Sequence, residues 1–146
     1  MAEKFFKADD DPEQMPINKK SGDKLLKLHP KSINFVLSNG HPVSWAVVVP
    51  TSKELAEKFI NKEINERQLL DMSEPQKIYS ALYLCSAFTI PEYRRKGLSL
   101  KLIKEIIAVI PHTTDCVYFY WPFSGEGRKL AGKLSEDLGI KILERN

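Results

Sequence analysis

The sequence predicts a mixed α+β domain in which helices flank one central sheet, in the order β-β-α-β-α-β-α-β. Three observations carry this. Short segments rich in β-branched and aromatic residues alternate with longer amphipathic ones. Asn-Gly, Pro and Gly fall between these segments, where chain reversals are needed. The 146 residues, 42% hydrophobic and 28% charged, suit a single core that needs no disulfide or metal staple.

Residues 1–32 form an N-terminal segment expected to be partly irregular. Asp9, Asp10, Asp11 and Pro12 make an acidic break, and residues 18–23 are polar around Gly22. Leu25, Leu26 and Leu28 suit one short strand or a turn of helix. The domain proper spans residues 33–146. Residues 33–38 read as a strand, and Asn39-Gly40 as a hairpin turn, because both residue types tolerate positive φ. Residues 43–49 are the returning strand, anchored by Trp45 and ended by Pro50. Ser52 then caps one helix over residues 53–70, whose Leu55, Phe59, Ile60, Ile64 and Leu69 recur at helical spacing.

A loop with Pro75 leads to a central strand over residues 78–90. Leu82, Leu84, Ser86 and Phe88 alternate there with Tyr83, Cys85, Ala87 and Thr89, so both faces are mostly apolar and both should be covered. Residues 98–110 are an amphipathic helix closed by Pro111, and residues 117–121 the next strand. Residues 127–138 form a second such helix, with Gly139 as its C-cap, and residues 140–143 the last strand.

The formal net charge of +3 is too small and too dispersed for a nucleic-acid binder. No apolar run approaches 18 residues, so no membrane span is expected, and the charged start lacks a secretory h-region. Cys85 and Cys116 sit in apolar runs without CxxC spacing or a histidine pair. They read as reduced thiols of a cytoplasmic protein, with no metal site. His29, His41 and His112 fall in loops or turns with no partner spacing.

The informative stretch is Thr89-Ile90-Pro91-Glu92-Tyr93-Arg94-Arg95-Lys96-Gly97-Leu98-Ser99. A buried strand ends, a basic turn follows, and a helix opens at a glycine. A helix start offers unpaired N–H groups and the positive end of its dipole. Gly97 lets an anion approach the backbone, and Arg94, Arg95 and Lys96 add charge. This is a phosphate cradle suited to a diphosphate.

The run Pro91 to Ser99 resembles the coenzyme-A signature of the GNAT superfamily of N-acetyltransferases. That signature is Arg or Gln, two residues, Gly, one residue, then Gly or Ala. Arg94 and Gly97 match it, and Ser99 stands at the last place. The resemblance implies a mixed, mostly antiparallel sheet and acetyl-CoA as cofactor. Backbone N–H groups around Arg95 to Leu100 would hold its pyrophosphate, with Thr89, Arg94, Arg95, Lys96, Gly97, Leu98 and Ser99 as the cofactor-binding residues, and the strand edge at Phe88 and Thr89 would pair with the pantetheine arm. The next parallel strand would splay away to admit it.

A second block is similar to the family's later helix. Ala131, Leu134 and Gly139 fall in register, with Arg128 at the family's Asn place beside the coenzyme and Ser135 at the place of its Tyr, the acid for the leaving thiolate. A serine hydroxyl is a poorer acid than a phenol. Tyr118 and Tyr120 on the neighbouring strand are therefore candidate acids beside Ser135. The aromatic run from Tyr118 to Phe123 reads first as a strand packed on both faces; the alternative is that Trp121 and Phe123 line an acyl or acceptor pocket at its end. The helix over 53–70 and the short N-terminal half depart from the family.

The resemblance thus implies an acyl-CoA-dependent N-acyltransferase, most simply an N-acetyltransferase, whose partners are acyl-CoA and a small amine or peptide amine. Two other readings stay open: a coenzyme-A-binding module without fast turnover, and an interaction domain of the same fold, with a homodimer through the long helix and the aromatic strand.

Overall fold

The computed structural model describes residues 19–94, 96–122 and 125–146. β1 (Ile33–Ser38) turns at Asn39 and Gly40, whose φ angles of 52° and 78° are the positive values the dipeptide was expected to supply. Ser38 pairs with His41 across the turn, and β2 (His41–Thr51) returns antiparallel. Pro50 does not end β2. The β1 ladder has already finished at Ile33 and Val47, so among the described residues β2 has one strand neighbour there and tolerates a residue without a donor.

Residues 53–70 are two helices rather than one. α2 (Lys53–Ile60) is capped by Ser52, whose hydroxyl accepts from the Leu55 N–H. The chain then turns through Lys62 at φ 65°. Asn65 opens α3 (Glu66–Met72) with a capping box: its side chain accepts from the Gln68 N–H while the Gln68 side chain accepts from the Asn65 N–H. That local signal overrides the apolar spacing that runs across the break. Upstream, the choice left open at Leu25–Leu28 resolves as a ten-residue helix, α1 (Lys19–Leu28), which buries Leu25 and Leu28.

β3 (Tyr79–Thr89) is central, followed by a 3-10 turn (Pro91–Tyr93), α4 (Leu98–Val109), β4 (His112–Tyr120), α5 (Gly125–Leu138) and β5 (Ile142–Glu144). The sheet order is β1-β2-β3-β4-β5. The first two ladders are antiparallel and the last two parallel, so the sheet is mixed. α1, α2 and α3 cover one face around Phe59, Leu69, Tyr83 and Phe119. α4 and α5 cover the other around Leu82, Ile103, Ile106 and Leu134.

The alternation expected along β3 breaks at Cys85. Val47 pairs with Ser86 and Val48 with Leu84, which leaves Cys85 as the extra residue of a β-bulge. Beyond it Ala87 packs on the α4 face with Leu82 and Leu84, instead of sharing the face of Tyr83 and Cys85. A one-residue insertion reverses every later side chain.

Ile106 is fully buried between α4 and the sheet. Ile106→Ala should cost about 3 kcal/mol and lower Tm by on the order of 10 °C in a thermal melt. Leu26→Ala, on the exposed side of α1, should cost under about 0.5 kcal/mol.

Candidate functional site: a fork in the sheet

The parallel ladder between β3 and β4 ends at Tyr83 and Phe119, while β3 continues beside β2 to the Ser44–Thr89 pair. β4 stays with β5 through Tyr120 and Glu144. The sheet therefore forks just past Tyr83, and the bulge at Cys85 lies at the fork. A bulge bends its strand and increases local twist at that point. Along Leu84–Thr89 the β4-facing edge of β3 has no strand against it among the described residues.

The basic turn closes the far end of this edge. The Thr89 hydroxyl bridges the Ser44 hydroxyl at 2.8 Å and the Ser99 hydroxyl at 2.7 Å, tying β2, β3 and the first turn of α4 together. Arg94 Nε donates to the Thr89 carbonyl at 3.0 Å, and its guanidinium lies 5.6 Å from the centre of the Phe88 ring. Phe88 in turn stacks on Trp45 at 5.0 Å. Lys96 Nζ sits 5.1 Å over Tyr93, whose hydroxyl meets that of Ser38 at 2.8 Å. Arg95 lies outside the described residues.

Gly97 is the N-cap of α4 at φ 70°, ψ 21°, and no side chain caps the helix. The glycine is required by this left-handed backbone rather than by crowding, since a Cβ there would meet nothing within 4 Å. Leu98 and Ser99 form the open first turn, both half-buried. A shallow groove runs on from Gly97 along α4 past Lys101 and Lys104. Lys104 is ion-paired with Asp137 at 2.7 Å.

The candidate acids sit apart from one another. Tyr118 points its hydroxyl at His112 Nε2, 3.1 Å away, so His112 does have a partner. Burial, and then Cys116, raise the Tyr118 phenol above its usual range. Tyr120 is buried at the end of β4, the first residue past the last β3–β4 pair. Burial and the Glu144 carboxylate raise its pKa, and Arg128 opposes them. Arg128 Nη2 is itself 3.5 Å from Glu144. The Ser135 hydroxyl donates to the Ile140 carbonyl at the C-terminal end of α5, the opposite end from Arg128. Of the three, Tyr120 is the one at the fork. Trp121 follows it, packed on the α2 side. Phe123 lies outside the described residues.

On the α2–α3 face the structure brings together residues that sequence reasoning did not connect. Glu66, 4% exposed at the start of α3, accepts a hydrogen bond from the hydroxyl of fully buried Tyr83. The strand residues 81–89 have no carboxylate of their own, so Glu66 supplies one from another element. Burial first, and Glu66 second, raise both the Tyr83 phenol and the Cys85 thiol well above their usual ranges. Arg145, also 4% exposed, lays its guanidinium 4.5 Å from the centres of both the Phe59 and Trp121 rings.

Arg145 Nε and Nη1 are buried and have no hydrogen-bond partner among the described residues. Two desolvated cation–π contacts contribute about 2 kcal/mol each. Burying an ion costs several kcal/mol, and each unmet donor adds about 1–3. The rings therefore offset only part of the cost. Nothing in the sequence singles out Arg145, which stands near the chain's end after a weak strand.

Among the described residues, no group of His, Cys, Asp and Glu has metal-binding geometry, and no helix is long and apolar enough to cross a membrane. Cys85 and Cys116 are free thiols, the first buried and the second half-buried. No family model matches the chain, and no curated protein or solved structure matches it.

Alkaline titration should reveal the buried phenol and thiol. In an unfolded chain a thiol ionises near about pH 8.5 and a phenol near about 10, whereas in the fold both stay protonated to higher pH. Their contribution is complete below those unfolded values and is lost as pH rises above them. The loss reaches up to about 1.4 kcal/mol per pH unit for each group. Urea unfolding measured across this range should show the decline. Tyr83→Phe should flatten it above about pH 10 and cost about 1–3 kcal/mol at neutral pH, because buried Glu66 loses the Tyr83 hydroxyl as a donor while keeping its other contacts. A slope indifferent to Tyr83→Phe and Cys85→Ala together would place the titration elsewhere.

Proposed function

We propose that the chain is an acyl-CoA-dependent N-acyltransferase, in the simplest case an N-acetyltransferase, working at the fork between β3 and β4. The observation that carries this reading is the unpaired edge of β3 leading directly to the uncapped first turn of α4. An extended chain with amide groups can add to such an edge as a further strand. A diphosphate at its end then meets the α4 amides and the basic turn. Acyl-CoA has both parts in that order. The GNAT-like run Pro91 to Ser99 supports the same coenzyme.

Acyl transfer forms a C–N bond and breaks the thioester C–S bond. The amine must lose a proton and the thiolate must gain one. Tyr120, protonated well past neutral pH and first in line at the fork, is the acid in this scheme. Glu66, hydrogen-bonded to Tyr83 where the β3–β4 ladder ends, takes the amine's proton in this scheme.

The second reading, a coenzyme-binding module without turnover, is favoured by Ser135. At the place of the family's acid, its hydroxyl is spent on the Ile140 carbonyl.

Calorimetric titration of acetyl-CoA tests the coenzyme site. Wild type should bind with micromolar Kd, about −8 kcal/mol. Arg95→Glu with Lys96→Glu should weaken binding at least about tenfold by placing negative charge beside the diphosphate. Absence of binding to wild type would sink the proposal. Release of CoA in the presence of a panel of primary amines separates the two readings. An acyltransferase should lose on the order of 100-fold in kcat on Glu66→Gln or Tyr120→Phe. A binding module would bind acetyl-CoA and release none.

A further inference from the structure

We infer that β1 is the pairing edge of a homodimer, in which the strand lies antiparallel to its own copy across a two-fold axis at Val36. The first support is the contrast between the two outer edges of the sheet. β5 is three residues long, follows Lys141 and ends at Glu144. Short length and flanking charge keep an edge from templating another strand. β1 has six residues, Ile-Asn-Phe-Val-Leu-Ser, with no charge and no proline. On its outer side no strand pairs with it among the described residues. The extra residue at its irregularity with β2 is Val43, so β1 itself keeps an unbroken alternation.

The second support is what this edge displays. Phe35 and Leu37 are each 53% exposed. They lie on the face of Ile33, toward α1, while Asn34 reaches across to the Leu102 carbonyl of α4. The third is that the strand is its own complement. Paired about Val36, Phe35 falls opposite Leu37 of the second copy, Asn34 opposite Ser38, and Val36 opposite itself. Apolar meets apolar on one face, and no like charges oppose one another. A strand of roughly 20 Å carrying two large apolar side chains covers less than the about 800 Å² per partner of a permanent interface. The dimer is therefore a micromolar one, in exchange with monomer. Its surface differs from the one expected of the long helix and the aromatic strand. That helix is two helices, and β4 is already paired on both sides.

Sedimentation velocity of the full chain, without acetyl-CoA, tests this between about 1 and 500 μM. The mean mass should climb from monomer toward dimer, and amide exchange in residues 33–38 should slow as it does. Phe35→Lys puts a charge on the edge at two places in the dimer and should raise Kd at least about tenfold. Leu138→Lys, at the exposed end of α5, should leave Kd unchanged. Adding Leu37→Glu to Phe35→Lys brings the new lysine opposite the new glutamate of the second copy, and should recover most of the loss. Circular dichroism shows which variants fold, and the wild-type measurements need no variant. A monomer at every concentration, protection confined to residues outside 33–38, or a folded Phe35→Lys chain that dimerises like wild type would each overturn the inference. Failure of the double variant to recover would overturn the pairing about Val36. The coenzyme reading stands or falls separately, because no coenzyme is present.

Discussion

The extra residue in β3 is the constraint on which the rest of the arrangement depends. A regular strand would keep Ala87 on the face of Tyr83 and Cys85. With Cys85 inserted, Ala46 and Ala87 lie together under α4, and the ladder to β4 stops two residues before the bulge. β2 follows β3 through this change because Val47 and Val48 absorb the register shift. β4 does not, and it remains with β5. A sheet that is continuous at one end is thus open at the other. The opening lies between a helix start on one side and an aromatic cluster on the other.

The two ends of the opening handle charge in opposite ways. At the basic turn the cations are exposed and lean on aromatic rings, and the helix terminus is left uncapped in open surroundings. Such an arrangement costs little when empty, because water satisfies the same groups. On the α2–α3 face, Arg145 and Glu66 are both removed from water. A buried charge is tolerated only where its partners are supplied, and here part of the supply comes from aromatic faces, which are weaker than ion pairs.

Much of the fold was legible because local chemistry decided it. Asn39-Gly40 fixed the hairpin, Pro111 and Gly139 bounded the helices, and the apolar run around Leu82 marked the central strand. The misreadings share one cause, in which a local rule was outweighed by a neighbour along or across the chain. Helical spacing ran unbroken through residues 61–65, yet the Asn65–Gln68 capping box restarted the helix. Pro50 looked like a terminus until the missing strand beside it made it harmless. The bulge at Cys85 has no residue signature at all, since it belongs to the pairing of β2 with β3. The strand end and the helix start that follow one another around Gly97 were legible because they are contiguous in the chain. The contact of Glu66 with Tyr83, and the burial of Arg145 beside Phe59 and Trp121, were not, because they join α3 to β3 and the residue after β5 to α2, with Glu66 and Arg145 79 positions apart in numbering, 145 less 66.

The hydroxyl chain of Ser44, Thr89 and Ser99 links these parts mechanically. The bulge reverses the side chains of β3, which turns Thr89 to meet both Ser44 on β2 and Ser99 on α4. Without that reversal Thr89 would face the opposite side of the sheet, and the first turn of α4 would lose its tie to the strand. The residue that opens the fork is therefore also the one that places the helix terminus at its mouth. This coupling ties the register of the β2–β3 ladder to the position of the first turn of α4. It also explains why Gly97 must take a left-handed turn: the chain has to leave β3 and enter α4 within a few residues while Thr89 and Ser99 stay 2.7 Å apart.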